Sequence, residues 1–243
     1  MSLTFDNGGD YAKFRPTYPT ELAHSLAEHS ESHNVALDIG CGSGQLTESL
    51  TSEYDLTLGT DISLSQLKAA TGKACYAAGD AGALPVAERS ADLITVAQAA
   101  HWIDLDEFYA EAERVAAPGA LIALVSYGLC MIDDAEADRA YQEFYYGEFH
   151  QFWDERRVHV ETGMKRLPFP FERVEITSPD IVRTMGVQDF MAYLGTWSAT
   201  ANARRDGHEH LFDEFAETLA LVWGTRQLTV RWPVSVVAGH FGH

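Results

Sequence analysis

Apolar residues recur along this chain with two different periods. Short apolar runs of strand length fall at about 35–39, 56–60, 74–79, 91–98 and 119–127. Between them, at about 44–53, 63–72 and 104–116, apolar positions recur at helical spacing. In the last of these segments Leu105, Phe108, Ala112 and Val115 form one stripe, as in a helix with one buried face. Ser63 and Asp104 stand where N-caps belong. Ahead of the first strand, Pro19 opens a helix whose apolar face holds Leu22, Ala23 and Leu26. Apolar strands alternating with helices predict an α/β fold, with a parallel sheet covered on both faces.

The pattern changes after Tyr127. Residues 128–170 read as helical and carry a dense aromatic run from Tyr141 to Trp153. A strand at 172–178 and helices at about 186–198 and 208–223 follow. Leu228-Thr229-Val230-Arg231-Trp232 alternates cleanly, and a second apolar stretch runs to Ala238. Both late strands are expected to complete the sheet in antiparallel fashion, with Pro233 marking an edge or bulge. No repeat or linker interrupts the chain, so one domain over 1–243 with a helical insertion at 128–170 is expected.

Composition narrows the partners. A net charge of −19, from 17 basic and 36 acidic residues, repels phosphate backbones, so nucleic acid is not an expected partner. The apolar run Ala120–Val125 is only strand-sized, so no membrane span is expected. No basic segment followed by an apolar one opens the chain, so no secretory signal is expected. Cys41, Cys75 and Cys130 are odd in number and widely spaced, which suggests neither a disulfide framework nor a zinc site and fits a reducing cytoplasm. His208-Glu209-His210 puts its two histidines on different helix faces and reads as a solvated helix start, so no metal is expected.

The chemistry concentrates at the first strand. Val35 to Ile39 runs into Gly40-Cys41-Gly42-Ser43-Gly44: a strand, a glycine turn and a helix start, which brings a ligand close to bare backbone. Asp61 ends the second strand, where a carboxylate can accept from both ribose hydroxyls of a nucleoside ligand. A dinucleotide and S-adenosylmethionine both meet that requirement. The loop spacing is G-x-G-x-G, with Gln45 where the dinucleotide fingerprint has its third glycine. Asp38 would also lie close to a pyrophosphate, whereas an ammonium and a sulfonium tolerate its charge. Asp80, at the end of the third strand, can accept from an exocyclic adenine amine. His101 follows the fourth strand, at the edge that borders a ligand crevice in a parallel sheet, and is a candidate proton acceptor.

Taken together, Asp38 to Gly44, Asp61, Gly79-Asp80-Ala81 with Leu84-Pro85, and Arg114-Val115-Ala116-Ala117-Pro118-Gly119 resemble the motifs of class I S-adenosylmethionine-dependent methyltransferases of the small-molecule type. Ala120 stands where that family's R-V-L-K-P-G-G turn has its second glycine. The likeness spans about residues 10–127. It implies a Rossmann-like, seven-stranded, mostly parallel sheet with an antiparallel last strand. It also implies S-adenosylmethionine as cofactor, held by Asp38, Gly40, Cys41, Gly42, Gly44, Asp61, Ile62, Asp80, Ala81 and Gln98. A narrower likeness, in Tyr11 to Pro19, Gln98 to Trp102 and Thr196 to Ser198, is to the trans-aconitate and cantharidin methyltransferase group. By that likeness residues 1–19 cap the cofactor, with Tyr11 and Arg15 near its methionine end.

On the acceptor side, the 128–170 insertion is expected to form part of a substrate lid. Trp102, Tyr127, Trp153, Tyr193 and Trp197 are the residues expected at a small-molecule acceptor. Tyr141, Tyr145 and Phe149 share a helical stripe and are expected to pack. Arg15, Arg156 and Arg183 are candidate cations for a carboxylate acceptor. Two other readings stand beside a methyltransferase: an NAD-dependent oxidoreductase, and a methyltransferase-like scaffold that binds a partner protein.

Overall fold

The structure, a computed structural model, describes residues 14–242. Helix α1 (Thr20–Glu28) precedes β1 (Val35–Ile39), and α2 (Thr47–Leu50), β2 (Leu56–Asp61), α3 (Leu64–Ala69) and β3 (Cys75–Ala78) follow. Then come β4 (Ala91–Ala97), a 3-10 turn at Ala100–Trp102, α4 (Leu105–Val115) and β5 (Ala116–Tyr127). Ser63 and Asp104 do cap their helices, accepting from the N–H of Gln66 and from those of Asp106 and Glu107.

The insertion is less regular than its sequence suggests. It holds β6 (Met131–Ile132), α5 (Ala135–Tyr146), a 3-10 segment at Glu148–Phe152 and α6 (Arg157–Glu161). The remainder is β7 (Glu172–Val174), β8 (Ile181–Met185), α7 (Val187–Gly195), α8 (Ser198–Arg205), α9 (Glu209–Trp223), β9 (Leu228–Trp232) and β10 (Val234–His240). No helix among the described residues is long and apolar enough to cross a membrane.

The main sheet has seven strands in the order β3-β2-β1-β4-β5-β10-β7. Strands β1 to β5 pair in parallel, and β10 runs antiparallel to both β5 and β7. The central strands are mostly apolar because both faces are covered, with Asp38 in β1 and Asp92 and Thr95 in β4 as buried polar residues. In β5, Leu121, Ala123 and Val125 join the core on one face, while Ile122 and Leu124 join the core on the other.

One expectation about the late strands needs correction. Strand β9 does not join the main sheet; it forms a separate three-stranded sheet in the order β6-β9-β8. Pro233 sits where the chain passes from β9 to β10. It has no N–H to continue a ladder, while its carbonyl accepts from Gly128 N–H at 2.9 Å. The core on the Leu121 face continues without a break into the insertion, through Tyr127 to Tyr141, Phe190, Trp197 and Trp232.

The start of β1 is fixed from β4. Buried Asp92 accepts from the N–H of Asn34 at 2.7 Å and of Val35 at 2.9 Å. Asp92→Ala strands both donors, at a cost of about 1–3 kcal/mol. Urea unfolding should show a lower midpoint with an unchanged slope; an unchanged midpoint would show that the two bonds contribute nothing.

Candidate active site

The chain leaves β1 toward β2 and leaves β4 toward β5, on opposite sides of the β1–β4 pair. A crevice therefore opens at the C-terminal ends of these two strands. Its floor is made of backbone. Gly40 has φ +64°, and a Cβ there would come within 2.6 Å of Ala99 Cβ on the β4 side. Gly44 has φ +87°, and a Cβ there would strike the Tyr76 ring. Side chains at either position would be both strained and obstructed.

Two carboxylates hold this loop. Asp38 lies beneath it, 1% exposed, accepting from Thr47 Oγ1 at 2.6 Å and Thr95 Oγ1 at 2.8 Å. Burial pushes the Asp38 carboxyl up to about 6, against the pull of those hydroxyls. Asp61 accepts from Gly42 N–H at 2.8 Å and Ser63 N–H at 2.7 Å, one on each oxygen. Each of its oxygens keeps a lone pair for a further donor. Cys41 is buried in the turn, and burial pushes its thiol far above the usual range. That makes it an unreactive packing residue.

Along the β2 and β3 ends, Ile62 is 73% exposed beside Asp61. Asp80 is also exposed and accepts from Gly82 N–H at 2.9 Å, and Ala81 next to it is half-buried. The β4 end is strained. Gln98, a non-glycine residue, has φ +55°. It is held there by its N–H on the Val125 carbonyl and its amide on the Tyr127 carbonyl, both at 2.9 Å.

That turn presents His101 and Trp102. Burial, and after it the neighbouring Arg157, His159 and Arg156, bring the His101 imidazole down to about 3. Its Nδ1 is buried with no partner among the described residues. The ring is thus a neutral group with unmet hydrogen-bonding capacity, and a weak base.

The opposite wall comes from Arg15. Its guanidinium donates to Tyr127 Oη at 3.3 Å and to the Thr196 carbonyl at 3.0 Å. Arg15, Tyr18, Tyr127 and Gln45 line a cavity of about 30 Å³. Gln45 Nε2 is a buried donor with no partner among the described residues. Sequence reasoning assigns Gln45 no ligand; only its place directly after the glycine turn points to it. Tyr11 lies outside the described residues.

The aromatic candidates separate into two groups. Trp102 lies under the Arg156 guanidinium at 4.1 Å and Trp153 under that of Arg157 at 4.2 Å, both partly exposed. Tyr193 and Trp197, 3% and 2% exposed, are packed into the core against each other and Tyr141, Phe190 and Trp232. As their stripe predicts, Tyr141, Tyr145 and Phe149 are buried.

Known proteins share this architecture. Residues 37–124, which run from β1 into β5, match a family profile described as a methyltransferase domain. A Dictyostelium discoideum protein with a methyltransferase name is 30% identical over 237 residues, covering 93% of this chain and 90% of that protein. A solved structure described as a type II methyltransferase from Anaeromyxobacter dehalogenans is 38% identical. It superposes with a TM-score of 0.86 over 93% of this chain and 98% of its own. A Mycobacterium tuberculosis protein, also named a methyltransferase, is 35% identical over 129 residues, 51% of this chain and 52% of its own length.

The buried imidazole yields a pH test. With its value near 3 in the fold and 6.5 in the free side chain, His101 binds a proton in the unfolded chain first. The fold therefore loses this contribution as pH falls from about 6.5 toward 3. NMR of ring-labelled protein should show no His101 titration between pH 5 and 8; a midpoint near 6.5 would contradict the placement.

Proposed function

Because this chain belongs to the class I S-adenosylmethionine-dependent methyltransferases, we propose that it methylates a small-molecule acceptor in the crevice between the β1–β4 edge and the insertion. S-adenosylmethionine held there would supply a methyl group on a sulfonium, transferred to an electron pair of the acceptor as the methyl carbon–sulfur bond breaks, with S-adenosylhomocysteine as the leaving group. The chain's own residues bind the two partners in line and keep water out.

Two observations support seating the cofactor at this edge. At Gly42, φ +57°, a Cβ would meet nothing nearer than Gln66 Oε1 at 4.0 Å, so bare backbone borders open space there. The unpartnered Nε2 of Gln45, which lines the same cavity as Arg15, suits an amino-acid carboxylate. In this reading Gly40, Cys41, Gly42 and Gly44 lie against that amino-acid end, with Asp38 beneath and Gln98 alongside. The spare lone pairs of Asp61 take the ribose hydroxyls. Ile62, Asp80 and Ala81 face the adenine.

The observation that carries the small-acceptor reading is the Arg15 tie from Tyr127 to Thr196. It joins the segment before α1, the end of β5 and the turn between α7 and α8 across the crevice. Trp102, Tyr127 and Trp153 form the acceptor wall, and Tyr193 and Trp197 support it from the core. His101 meets the acceptor as a neutral imidazole, orienting a hydroxyl or amine through Nδ1 rather than stripping its proton early.

With methyl-tritiated S-adenosylmethionine and a cell extract depleted of its own methyltransferases, label should enter the acid-soluble fraction. Label confined to precipitable protein or nucleic acid would contradict the reading. Asp61→Ala removes both the ribose acceptor and the anchor of Gly42 N–H. It should weaken S-adenosylhomocysteine binding by about 10- to 100-fold in calorimetry, the scale of one or two charged hydrogen bonds.

A further inference from the structure

Helix α6 packs on the 100–102 turn and brings Arg157 and His159 close to His101. Cations are scarce in this chain, 17 against 36 acidic residues, and most of those near the crevice are engaged. Arg156 is bound by both oxygens of Asp154 at 2.7 and 2.8 Å. Arg15 donates to Tyr127 and Thr196 and is assigned above to the amino-acid end of the cofactor, and Arg183 donates to the Phe14 carbonyl at 3.3 Å.

Arg157 differs from these three. Its Nε donates to Tyr145 Oη at 2.9 Å, and that hydroxyl donates in turn to Glu161 Oε1 at 2.5 Å. The guanidinium stacks on the Trp153 ring at 4.2 Å. Among the described residues no carboxylate lies within 4.0 Å of it, and Nη1 and Nη2 carry no hydrogen bond. Its plane is therefore fixed while its two-nitrogen fork stays open.

Around that fork other polar atoms lack partners. Trp153 Nε1, His159 Nδ1 and His101 Nδ1 are each buried without one among the described residues. Buried polar atoms ordinarily find partners, so three unmet ones beside an open guanidinium point to a ligand. A fork backed by an aromatic plane and ring N–H groups matches a planar carboxylate better than a neutral group.

We infer that Arg157, held by Trp153 and Tyr145, binds a carboxylate of the acceptor next to His101, with His159 and the Trp153 indole completing the subsite. This rests on the methyltransferase reading above. It deepens that reading by assigning acceptor choice to residues beyond the 37–124 span of the family profile.

The test uses two pairs of probes, benzoate with benzamide and succinate with succinamide. Each is titrated by tryptophan fluorescence and calorimetry into full-length protein, alone and saturated with S-adenosylhomocysteine. At least one carboxylate should bind about tenfold or more tightly than its amide, as expected for a charge-assisted pair. Arg157→Gln should abolish that preference, Arg157→Lys should restore part of it, and Arg166→Gln, at an exposed arginine that follows α6, should leave it intact. Circular dichroism confirms that each variant is folded. Carboxylates binding no better than their amides, or a preference that survives in Arg157→Gln, would overturn the inference. Failure of S-adenosylhomocysteine to bind the wild type would instead sink the methyltransferase reading.

Discussion

The whole site depends on one close approach. Where β1 and β4 part, Gly40 must come so near Ala99 that no side chain fits between them. The loop above it can then follow a path of positive φ at Gly40, Gly42 and Gly44. Two carboxylates keep it there: Asp38 from below through Thr47 and Thr95, and Asp61 from the side through Gly42 N–H. Removing the close approach would move the loop, and with it the lone pairs of Asp61 and the amide of Gln45. The matched family span of 37–124 covers this half of the molecule. This half of the molecule is held by backbone, by buried Asp38 and by half-buried Asp61.

The acceptor side is built differently. The aromatic core runs from the sheet through Tyr127 into α5, α7 and β9, so the insertion is anchored by packing. Onto that base Arg156, just before α6, is set above Trp102, and Arg157, the first residue of α6, above Trp153. These cations and burial together keep His101 neutral. In a chain of net charge −19, Arg157 stands out at this corner as a guanidinium with no carboxylate within 4.0 Å among the described residues.

The sequence made the central strands legible because burial on both faces leaves an almost unbroken apolar run. Capping at Ser63 and Asp104, and the helix at 208–223, were legible because those signals are local. Other features were hidden because their causes are not local. The 44–53 segment has helical spacing, yet the turn extends through Gly44 and only Thr47–Leu50 is helical. The stretch 186–198 breaks at Trp197, whose extended backbone (ψ 142°) ends one helix and starts another. The alternation of 228–232 announces a half-buried strand, but only long-range pairing with β6 and β8 decides its sheet. Arg156 and Arg157 are indistinguishable in sequence; Asp154 neutralises one and leaves the other.

The central claim is that the glycine turn, Gln45 and Arg15 grip the amino-acid end of the cofactor. The most direct measurement compares S-adenosylhomocysteine with 5′-methylthioadenosine, which lacks that end, by calorimetry on wild-type and Gln45→Ala protein. The expected result is much tighter binding of S-adenosylhomocysteine to the wild type, by about tenfold or more. In Gln45→Ala that gap should narrow, with methylthioadenosine affinity unchanged. Equal affinity of the wild type for the two compounds would contradict it.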